Sequence, residues 1–327
     1  MLLPSETVLE VSGLNVEFGT ARGIVRAVSD VSLRIGRGEV LGLVGESGSG
    51  KSTVAHAILR VLPRSALCTG TVTFRGADVL ALSPAQLRRY RWEGVSLVMQ
   101  GAMNALNPVL TIEAQIVDVI RTHRRVSRRA AKASVPDLLD LVGIDPARRG
   151  AYPHELSGGM RQRCVIAIAL ALEPDLVVMD EPTTALDVVV QRSIMDEIDR
   201  LREQLGFSVL LISHDLDLVA ERASRLAIMY AGRVVESGPA AQVVASPQHP
   251  YTEALLASTM SVDGQEGRLS ELPGRPPDLI AAQPGCAFFP RCSQARPGHD
   301  QQVPALLEVA PGHEVACHLY SDRELVR

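Results

Sequence analysis

Residues 45–52 combine glycines, a lysine and a serine at a spacing that suits the binding of a phosphorylated ligand. Glycines permit a tight loop whose successive backbone N–H groups point at phosphate oxygens. Lys51 would reach the terminal phosphates, and the Ser52 hydroxyl would bind Mg²⁺. A following helix pattern would place its positive N-terminal end at the same phosphates. The predicted nucleotide-binding residues are Gly45, Ser47, Gly48, Ser49, Gly50, Lys51, Ser52 and Thr53.

Two carboxylates follow the apolar run Leu176–Met179, which has the length of a buried strand. Asp180 would hold Mg²⁺ directly or through a water molecule. Glu181 would polarise a water molecule for attack on the terminal phosphate. The alternative is that both are exposed carboxylates in a turn. The phosphate loop favours the first interpretation, so the sequence predicts hydrolysis of a bound nucleotide.

A third motif, Leu156-Ser157-Gly158-Gly159-Met160-Arg161-Gln162-Arg163, precedes this apolar run. A serine cap, two small residues and a helix N-terminus suit close approach to a phosphate. With the other two motifs, this segment resembles the signature of ABC-type ATPases. The resemblance implies that Ser157, Gly158 and Gly159 close over ATP held by a second subunit. The chain would then be half of a two-site motor.

The same resemblance implies roles for three further residues. His214 matches the switch histidine, which contacts the terminal phosphate and the attacking water. Gln100 matches the glutamine that senses Mg²⁺ and water and acts as the hinge of a helical insert. Asp187 ends a segment, Ala185-Leu186-Asp187, that crosses the dimer interface in the family.

Two residues upstream of the phosphate loop are candidates for stacking on adenine. The resemblance implies an aromatic side chain in this region, and Phe18 lies there. Arg22 lies nearby, and a guanidinium also stacks on a base. Phe18 fits a buried strand position equally well, so both alternatives stay open.

Within ABC ATPases the chain resembles the oligopeptide/dipeptide importer group, which also contains nickel importers. The match is carried by residues 45–53, 104–108, 152–163, 182–188, 249–252 and 285–292. The resemblance implies a second ABC ATPase subunit, identical or different, and two membrane permease subunits. An extracytoplasmic substrate-binding protein would deliver cargo to them. Di- or oligopeptides are the expected cargo, and nickel or another small solute is the alternative.

Three of the five cysteines lie near the C-terminus, at Cys286, Cys292 and Cys317. Members of the family often carry four cysteines here, and some hold an iron–sulfur cluster. His299 stands where the resemblance implies a third cysteine of that set. Three thiolates and one imidazole suit a [4Fe–4S] cluster or tetrahedral Zn²⁺. A tail without metal is the remaining alternative.

Composition and charge exclude several classes of function. The 327-residue chain is 46% hydrophobic with a net charge of −4, which gives no support to a mainly electrostatic nucleic-acid binder. No apolar run reaches the length of a membrane span, and no secretory signal is evident. We therefore expect the protein to stay in the cytoplasm, and the resemblance to importer ATPases implies a peripheral position on the cytoplasmic face of the membrane.

Strand and helix patterns alternate along the chain and predict an α/β fold of the P-loop type. The resemblance implies a RecA-like mixed sheet, an antiparallel β subdomain and a helical insert at about residues 101–172. We expect an ATPase domain over residues 1–240 and a loop-rich extension with the cysteine tail over 241–327. Strands are predicted at 8–18, 27–35, 39–44, 70–74, 95–99, 176–179, 207–213, 226–230 and 233–237, and helices at 51–62, 157–172, 188–205 and 216–222.

A soluble ABC ATPase that acts on nucleic acid or ribosomes is the less favoured alternative. The span from Arg121 to Lys132 carries six basic residues and no acidic ones, which on a helix face could indicate nucleic acid. A solvated face is the simpler interpretation. Members of the family that act in DNA repair carry long coiled coils between the motif halves, whereas only about 100 residues separate Lys51 from Ser157 here. Translation-type members usually carry two ATPase cassettes in one chain, and this sequence shows one set of motifs. The signature also argues against a GTPase or small-molecule kinase.

Overall fold

The computed structural model describes residues 7–99, 101, 105–184, 186–259, 274–281 and 283–321. The strands are β1 (Thr7–Thr20), β2 (Gly23–Gly36), β3 (Val40–Val44), β4 (Ala66–Phe74), β5 (Ala77–Asp78), β6 (Val95–Val98), β7 (Leu176–Asp180), β8 (Ser208–Ser213), β9 (Arg225–Tyr230), β10 (Arg233–Pro239), β11 (Leu307–Ala310) and β12 (His313–Val315). The helices are α1 (Lys51–Ile58), α2 (Pro84–Arg89), α3 (Ile112–His123), α4 (Arg128–Ala133), α5 (Val135–Leu141), α6 (Gly158–Leu170), α7 (Val188–Leu205), α8 (Leu216–Ala220), α9 (Ala240–Ala245), α10 (Pro250–Thr259) and α11 (His318–Ser321).

These elements belong to two compact units. The loop unit comprises residues 9–34, 40–80 and 211–327. The signature unit comprises residues 35–39 and 81–210, together with the N-terminus up to Val8. The boundary at residues 210 and 211 falls inside β8.

An antiparallel sheet forms one part of the loop unit, with strand order β2-β1-β4-β5. Leu9 lies opposite Phe74 and Val11 opposite Val72. Leu9 and Val11 are buried, whereas Glu10 between them is exposed, so one face of β1 packs into the core. This period of two is typical of an antiparallel strand with one buried face, and the sheet corresponds to the expected antiparallel β subdomain.

A second sheet in the loop unit has strand order β11-β12-β10-β9-β3. β3 pairs with β9 in parallel, and all five of its residues are buried. A continuous apolar run is typical of a parallel strand covered on both faces. β9 and β10, both predicted as strands, form an antiparallel hairpin through Ala231 and Gly232, whose φ angles are 48° and 81°.

Helix α1 is shorter than the sequence pattern predicted, because it ends at Ile58 rather than Leu62. Leu59 is the last residue with helical backbone angles, and Arg60 adopts a left-handed φ of 54°. Pro63 follows soon after and cannot continue a helix. Apolar periodicity alone did not reveal this stop.

The signature unit contains the parallel pair β6 and β7, in which Val95 lies opposite Leu176. α6 begins after Ser157, as predicted, and the Ser157 hydroxyl accepts the Met160 N–H at 3.3 Å. α7 has the predicted bounds and ends at Leu205, and Gly206 caps it with a left-handed φ of 77°.

The basic span predicted as one helix face is divided between two helices. α3 ends at His123, and Ser127 caps α4 by accepting the Ala130 N–H at 3.1 Å. Lys132 pairs with Glu113 at 2.5 Å, and Arg124 donates to the Leu172 carbonyl at 2.8 Å. The six basic residues therefore do not form a single helical stripe.

The C-terminal extension contributes strands as well as loops. β12 pairs antiparallel with β10, with Val315 opposite Glu236, and β11 completes a short hairpin. Phe288, Val315 and Cys317 of this extension are buried. In the described part of the chain, no helix combines the length and the apolar character that crossing a membrane requires.

Candidate nucleotide site

The phosphate loop follows β3 and depends on glycines at the points where it meets other backbone. A Cβ atom at Gly45 would overlap the Met229 carbonyl oxygen. One at Gly50, where φ is 102°, would overlap the Ala27 carbonyl oxygen. A Cβ atom at Gly48 would meet nothing within 4 Å, so that part of the loop is open. Backbone packing therefore fixes the loop at two glycines and leaves the middle accessible.

The Lys51 ammonium lies within this loop and is almost completely buried. It donates to the carbonyl oxygens of Gly45 at 2.6 Å and Glu46 at 2.9 Å. Ser52 and Thr53 lie half-buried in the first turn of α1. Ser47 is exposed, whereas Ser49 is 4% exposed. The loop thus presents a cation, a hydroxyl and a helix N-terminus within a few residues of each other, which is the chemistry of a phosphate site.

The β9–β10 hairpin anchors the same loop. The Gly232 N–H donates to the Ser49 carbonyl at 2.9 Å. The Gly232 carbonyl accepts the Ser29 N–H from β2 at 2.8 Å. The loop conformation is therefore connected by backbone hydrogen bonds to both sheets of the loop unit.

The two predicted carboxylates lie at the C-terminal end of β7 in the signature unit. Asp180 is the last residue of the strand and is 6% exposed. Glu181 follows with a φ of 48°, a conformation that is uncommon for a residue with a Cβ atom. Its Oε2 accepts the Thr184 hydroxyl at 3.0 Å. Backbone angles of this kind concentrate at functional sites, and here the turn directs the chain away from the strand end.

The signature segment and the start of α7 meet at Val190 in the same unit. A Cβ atom at Gly159 would lie 3.0 Å from a Val190 methyl group. Asp187 caps α7, since its carboxylate accepts the Val190 N–H at 2.9 Å. Ser157 and Asp187 are not buried, and Val188 and Val189 are 78% and 79% exposed. The structure thus brings Gly159 and Asp187 together beside an exposed apolar surface.

His214 is exposed and directly follows β8. The next residue, Asp215, caps α8 by accepting the Leu218 N–H at 3.0 Å. Phe18 is half-buried in β1, opposite Ala66. Gln100, Asn104 and Ala185, which the sequence analysis also used, lie outside the described residues.

Comparison with known proteins decides the family. The family model of the ABC transporter matches residues 28–184, and that of the oligopeptide/dipeptide transporter C-terminal region matches residues 235–298. The dipeptide transport ATP-binding protein DppD of Bacillus subtilis is 41% identical over 97% of this chain and 96% of its own length. The chain belongs to the ABC transporter family.

Other relatives agree with this assignment. The oligopeptide transport ATP-binding protein OppD of Mycobacterium bovis is 47% identical over 94% of this chain. The chain spans about half of that relative, 51% of its length. The dimeric, post-hydrolysis structure of the ATP-binding cassette MJ0796 bound to ADP and phosphate superimposes with a TM-score of 0.62 at 26% identity. That match covers 71% of this chain and 98% of the cassette, which confirms the predicted ABC-type α/β fold.

In this ABC chain, Arg22 contacts the C-terminal extension. Its guanidinium pairs with Asp278 at 2.9 Å, and the two side chains are 77% and 52% exposed. Such exposed pairs contribute little to stability. The pair leaves the guanidinium accessible, so the choice between Phe18 and Arg22 for adenine stacking stays a prediction.

The expected metal site in the tail of this ABC protein is not supported. Among the residues that the structure describes, no group of three or more histidine, cysteine or acidic residues is placed to hold a metal ion. The His299 ring stacks on His318 with centroids 4.9 Å apart. Cys286, Cys292 and Cys317 are free thiols, and burial raises the pKa of Cys317 to about 11. The structure therefore gives no support to the expected iron–sulfur cluster or Zn²⁺, since the three cysteines and His299 are not arranged as metal ligands.

A buried carboxylate that the sequence analysis missed organises the C-terminal region. Glu236 is completely buried in β10 and accepts the N–H groups of Gln248 and His249 at 2.8 and 2.9 Å. The His313 ring from β12 lies 2.7 Å from the same carboxylate. No local pattern distinguished Glu236 from an ordinary strand residue, because its partners come from distant parts of the chain.

We expect His249 to make folding dependent on pH. Burial lowers its pKa to about 4, and Nδ1 accepts the Tyr251 N–H at 3.0 Å, as a neutral ring does. The unfolded chain, with a histidine pKa of about 6.5, binds a proton between pH 4 and 6.5 that the folded chain does not. Stability therefore rises with pH across this window, and about 2 kcal/mol should be lost from pH 7 to 5.

Urea unfolding at pH 7 and pH 5 measures this loss. His249→Gln should remove most of the difference between the two pH values. His154→Gln, at an exposed histidine, is the matched control and should keep it. Equal pH dependence in the wild type and His249→Gln would contradict the assignment.

Proposed function

We propose that this chain is the ATP-binding and hydrolysing subunit of an ABC importer for di- or oligopeptides. The observation that carries the proposal is the phosphate loop, whose glycines at 45 and 50 have no space for a Cβ atom and whose Lys51 is buried within it. The family match and the names of two relatives, an oligopeptide and a dipeptide transport ATP-binding protein, support peptides as the transported cargo.

In the proposed reaction, a water molecule attacks the terminal phosphorus of ATP, and ADP leaves with the phosphoanhydride oxygen. Lys51 and the loop N–H groups would bind the phosphates. Ser52 and Asp180 would be the ligands of Mg²⁺, which would neutralise negative charge on the phosphate oxygens. Glu181 orients the water and accepts its proton, and His214 contacts the terminal phosphate. Gln100 would sense Mg²⁺ and the attacking water and act as the hinge of the helical insert, and Phe18 or Arg22 would stack on adenine.

The proposal includes two composite sites in a head-to-tail dimer. ATP on the loop around Lys51 of one subunit would be covered by Ser157, Gly158 and Gly159 of the other. Asp187 and the exposed Val188 and Val189 would lie at the contact between the subunits. ATP then stabilises the closed state, and hydrolysis releases it, as in other ligand-biased two-state switches.

The proposed assembly places this chain on the cytoplasmic face of a membrane beneath two permease subunits. An extracytoplasmic binding protein would deliver the peptide. Residues 1–240 would form the ATPase domain, and residues 241–327 an extension specific to the importer group. The second ATPase subunit is either identical or a homologous partner.

The ATPase rate tests the proposal directly. The purified chain is assayed alone and in membranes with the products of neighbouring genes, with Lys51→Ala as the inactive control. We expect hydrolysis that requires the membrane subunits and increases with a peptide-loaded binding protein. Activity indifferent to membrane subunits but stimulated by ribosomes or DNA would overturn the importer function.

A further inference from the structure

The C-terminal extension contacts the phosphate loop through a bidentate salt bridge. The Arg291 guanidinium donates to both oxygens of Glu46, at 2.7 and 2.9 Å. Glu46 is the second residue of the loop, and the two partners are 245 positions apart in the chain. The Arg291 side chain is 4% exposed and that of Glu46 is 23% exposed. Bidentate pairs of this kind are strong and directional.

A buried aromatic cluster holds Arg291 in place. Its guanidinium also donates to the Tyr230 hydroxyl at 3.2 Å and lies 5.7 Å from the centre of that ring. Phe288 packs edge-on against Tyr230 and Tyr251, with centroids 5.3 and 5.4 Å away. Hydrogen bonding to Glu46 raises the pKa of Arg291, so the charge is permanent. The arginine therefore occupies one defined position.

The same cluster reaches the loop backbone. The Glu46 N–H donates to the Tyr251 hydroxyl at 2.9 Å. Burial raises the pKa of Tyr251, so this hydroxyl stays neutral and available as an acceptor. Side chain and backbone of Glu46 are thus both held by residues outside the nucleotide-binding motifs.

The contact between Arg291 and Glu46 affects the charge that the phosphate loop presents to its ligand. A carboxylate in a phosphate-binding loop repels the anionic ligand unless a cation neutralises it. We propose that Arg291 is a positioning residue of the nucleotide site, which neutralises Glu46 and holds its carboxylate away from the triphosphate. The inference rests on the proposed function, because it requires ATP at this loop. It makes the C-terminal extension a determinant of nucleotide affinity rather than only of assembly.

Binding of Mg·ATP to the full chain tests the role of Arg291. Arg291→Met keeps the packing on Tyr230 and Phe288 but removes the charge. We expect ATP to bind about tenfold more weakly, since a charged hydrogen-bond partner is lost beside an anionic ligand. Arg291→Lys should bind ATP roughly threefold more weakly than the wild type, because it keeps the charge without the bidentate geometry. Arg296→Met, at an exposed arginine of the same extension, is the matched control.

A second substitution separates charge neutralisation from a structural role. Glu46→Gln removes the repelling carboxylate, so Glu46→Gln combined with Arg291→Met should bind ATP within about twofold of Glu46→Gln alone. If Arg291 served only to maintain the fold, the double variant would bind as weakly as Arg291→Met or more weakly. Raised salt should also reduce the defect of Arg291→Met, because screening weakens the repulsion.

The wild type and Lys51→Ala distinguish the two proposals. If the wild type binds ATP, Lys51→Ala does not, and Arg291→Met and Arg291→Lys bind like the wild type, the inference about Arg291 is wrong and the proposed function stands. If the wild type itself does not bind ATP, both are wrong. Thermal unfolding of each variant shows whether a change in binding reflects loss of folded protein.

Discussion

Glu181→Gln is expected to reduce ATP hydrolysis by about a thousandfold while ATP binding is retained, since a positioned general base contributes 10²–10⁴ to a rate. The amide keeps the shape of the side chain and the contact with the Thr184 hydroxyl, which lies 3.0 Å from the carboxylate. It cannot accept a proton from the attacking water. The rate is measured in the assembled complex, and binding is measured separately on the full chain.

A matched control for Glu181 lies just before the other end of the same strand. Glu173 is an exposed acidic residue shortly before β7, and Glu173→Gln removes the same charge from the same unit. We expect this variant to hydrolyse ATP at the wild-type rate. Hydrolysis by Glu181→Gln within about threefold of the wild type would exclude Glu181 as the general base.

Gly50→Ala is expected to weaken ATP binding by at least about a hundredfold. A residue with a Cβ atom at a φ of 102° is strained, and this Cβ would also overlap the Ala27 carbonyl oxygen. Because that oxygen belongs to the backbone of β2, no side-chain rotation can relieve the overlap, so the loop must shift. Left-handed strain costs about 1–2 kcal/mol per residue, and displaced N–H groups lose phosphate contacts in addition.

Gly76→Ala is the control that separates the effect of backbone strain from the effect of the overlap with the Ala27 carbonyl oxygen. Gly76 has a φ of 80° in the turn between β4 and β5, but a Cβ atom there meets nothing within 4 Å. This variant should lose some stability and bind ATP like the wild type, as measured by thermal unfolding and titration calorimetry. Equal binding by Gly50→Ala and the wild type would show that the loop tolerates a shift.

The sequence by itself was sufficient to predict the features that depend on residues close together in the chain. Ser157 caps α6 because a serine before a helix pattern accepts an N–H three residues ahead. The bounds of α7 followed from its amphipathic pattern. The phosphate loop and the two carboxylates at the end of β7 were also recognisable, since each motif places its chemical groups within a few consecutive residues.

Features that depend on distant residues were decided by the tertiary structure. The sequence-based prediction of the loop assigned no role to Glu46, whereas its carboxylate forms the ion pair with Arg291. Three cysteines near the C-terminus and the family resemblance suggested a metal site, but the described tail residues do not form a ligand group. A spacing shows which groups are available, and only packing determines the direction in which each side chain points. The sequence therefore determined that the ligand is a nucleotide. The tertiary structure decided which residues outside the motifs hold the phosphate loop in place.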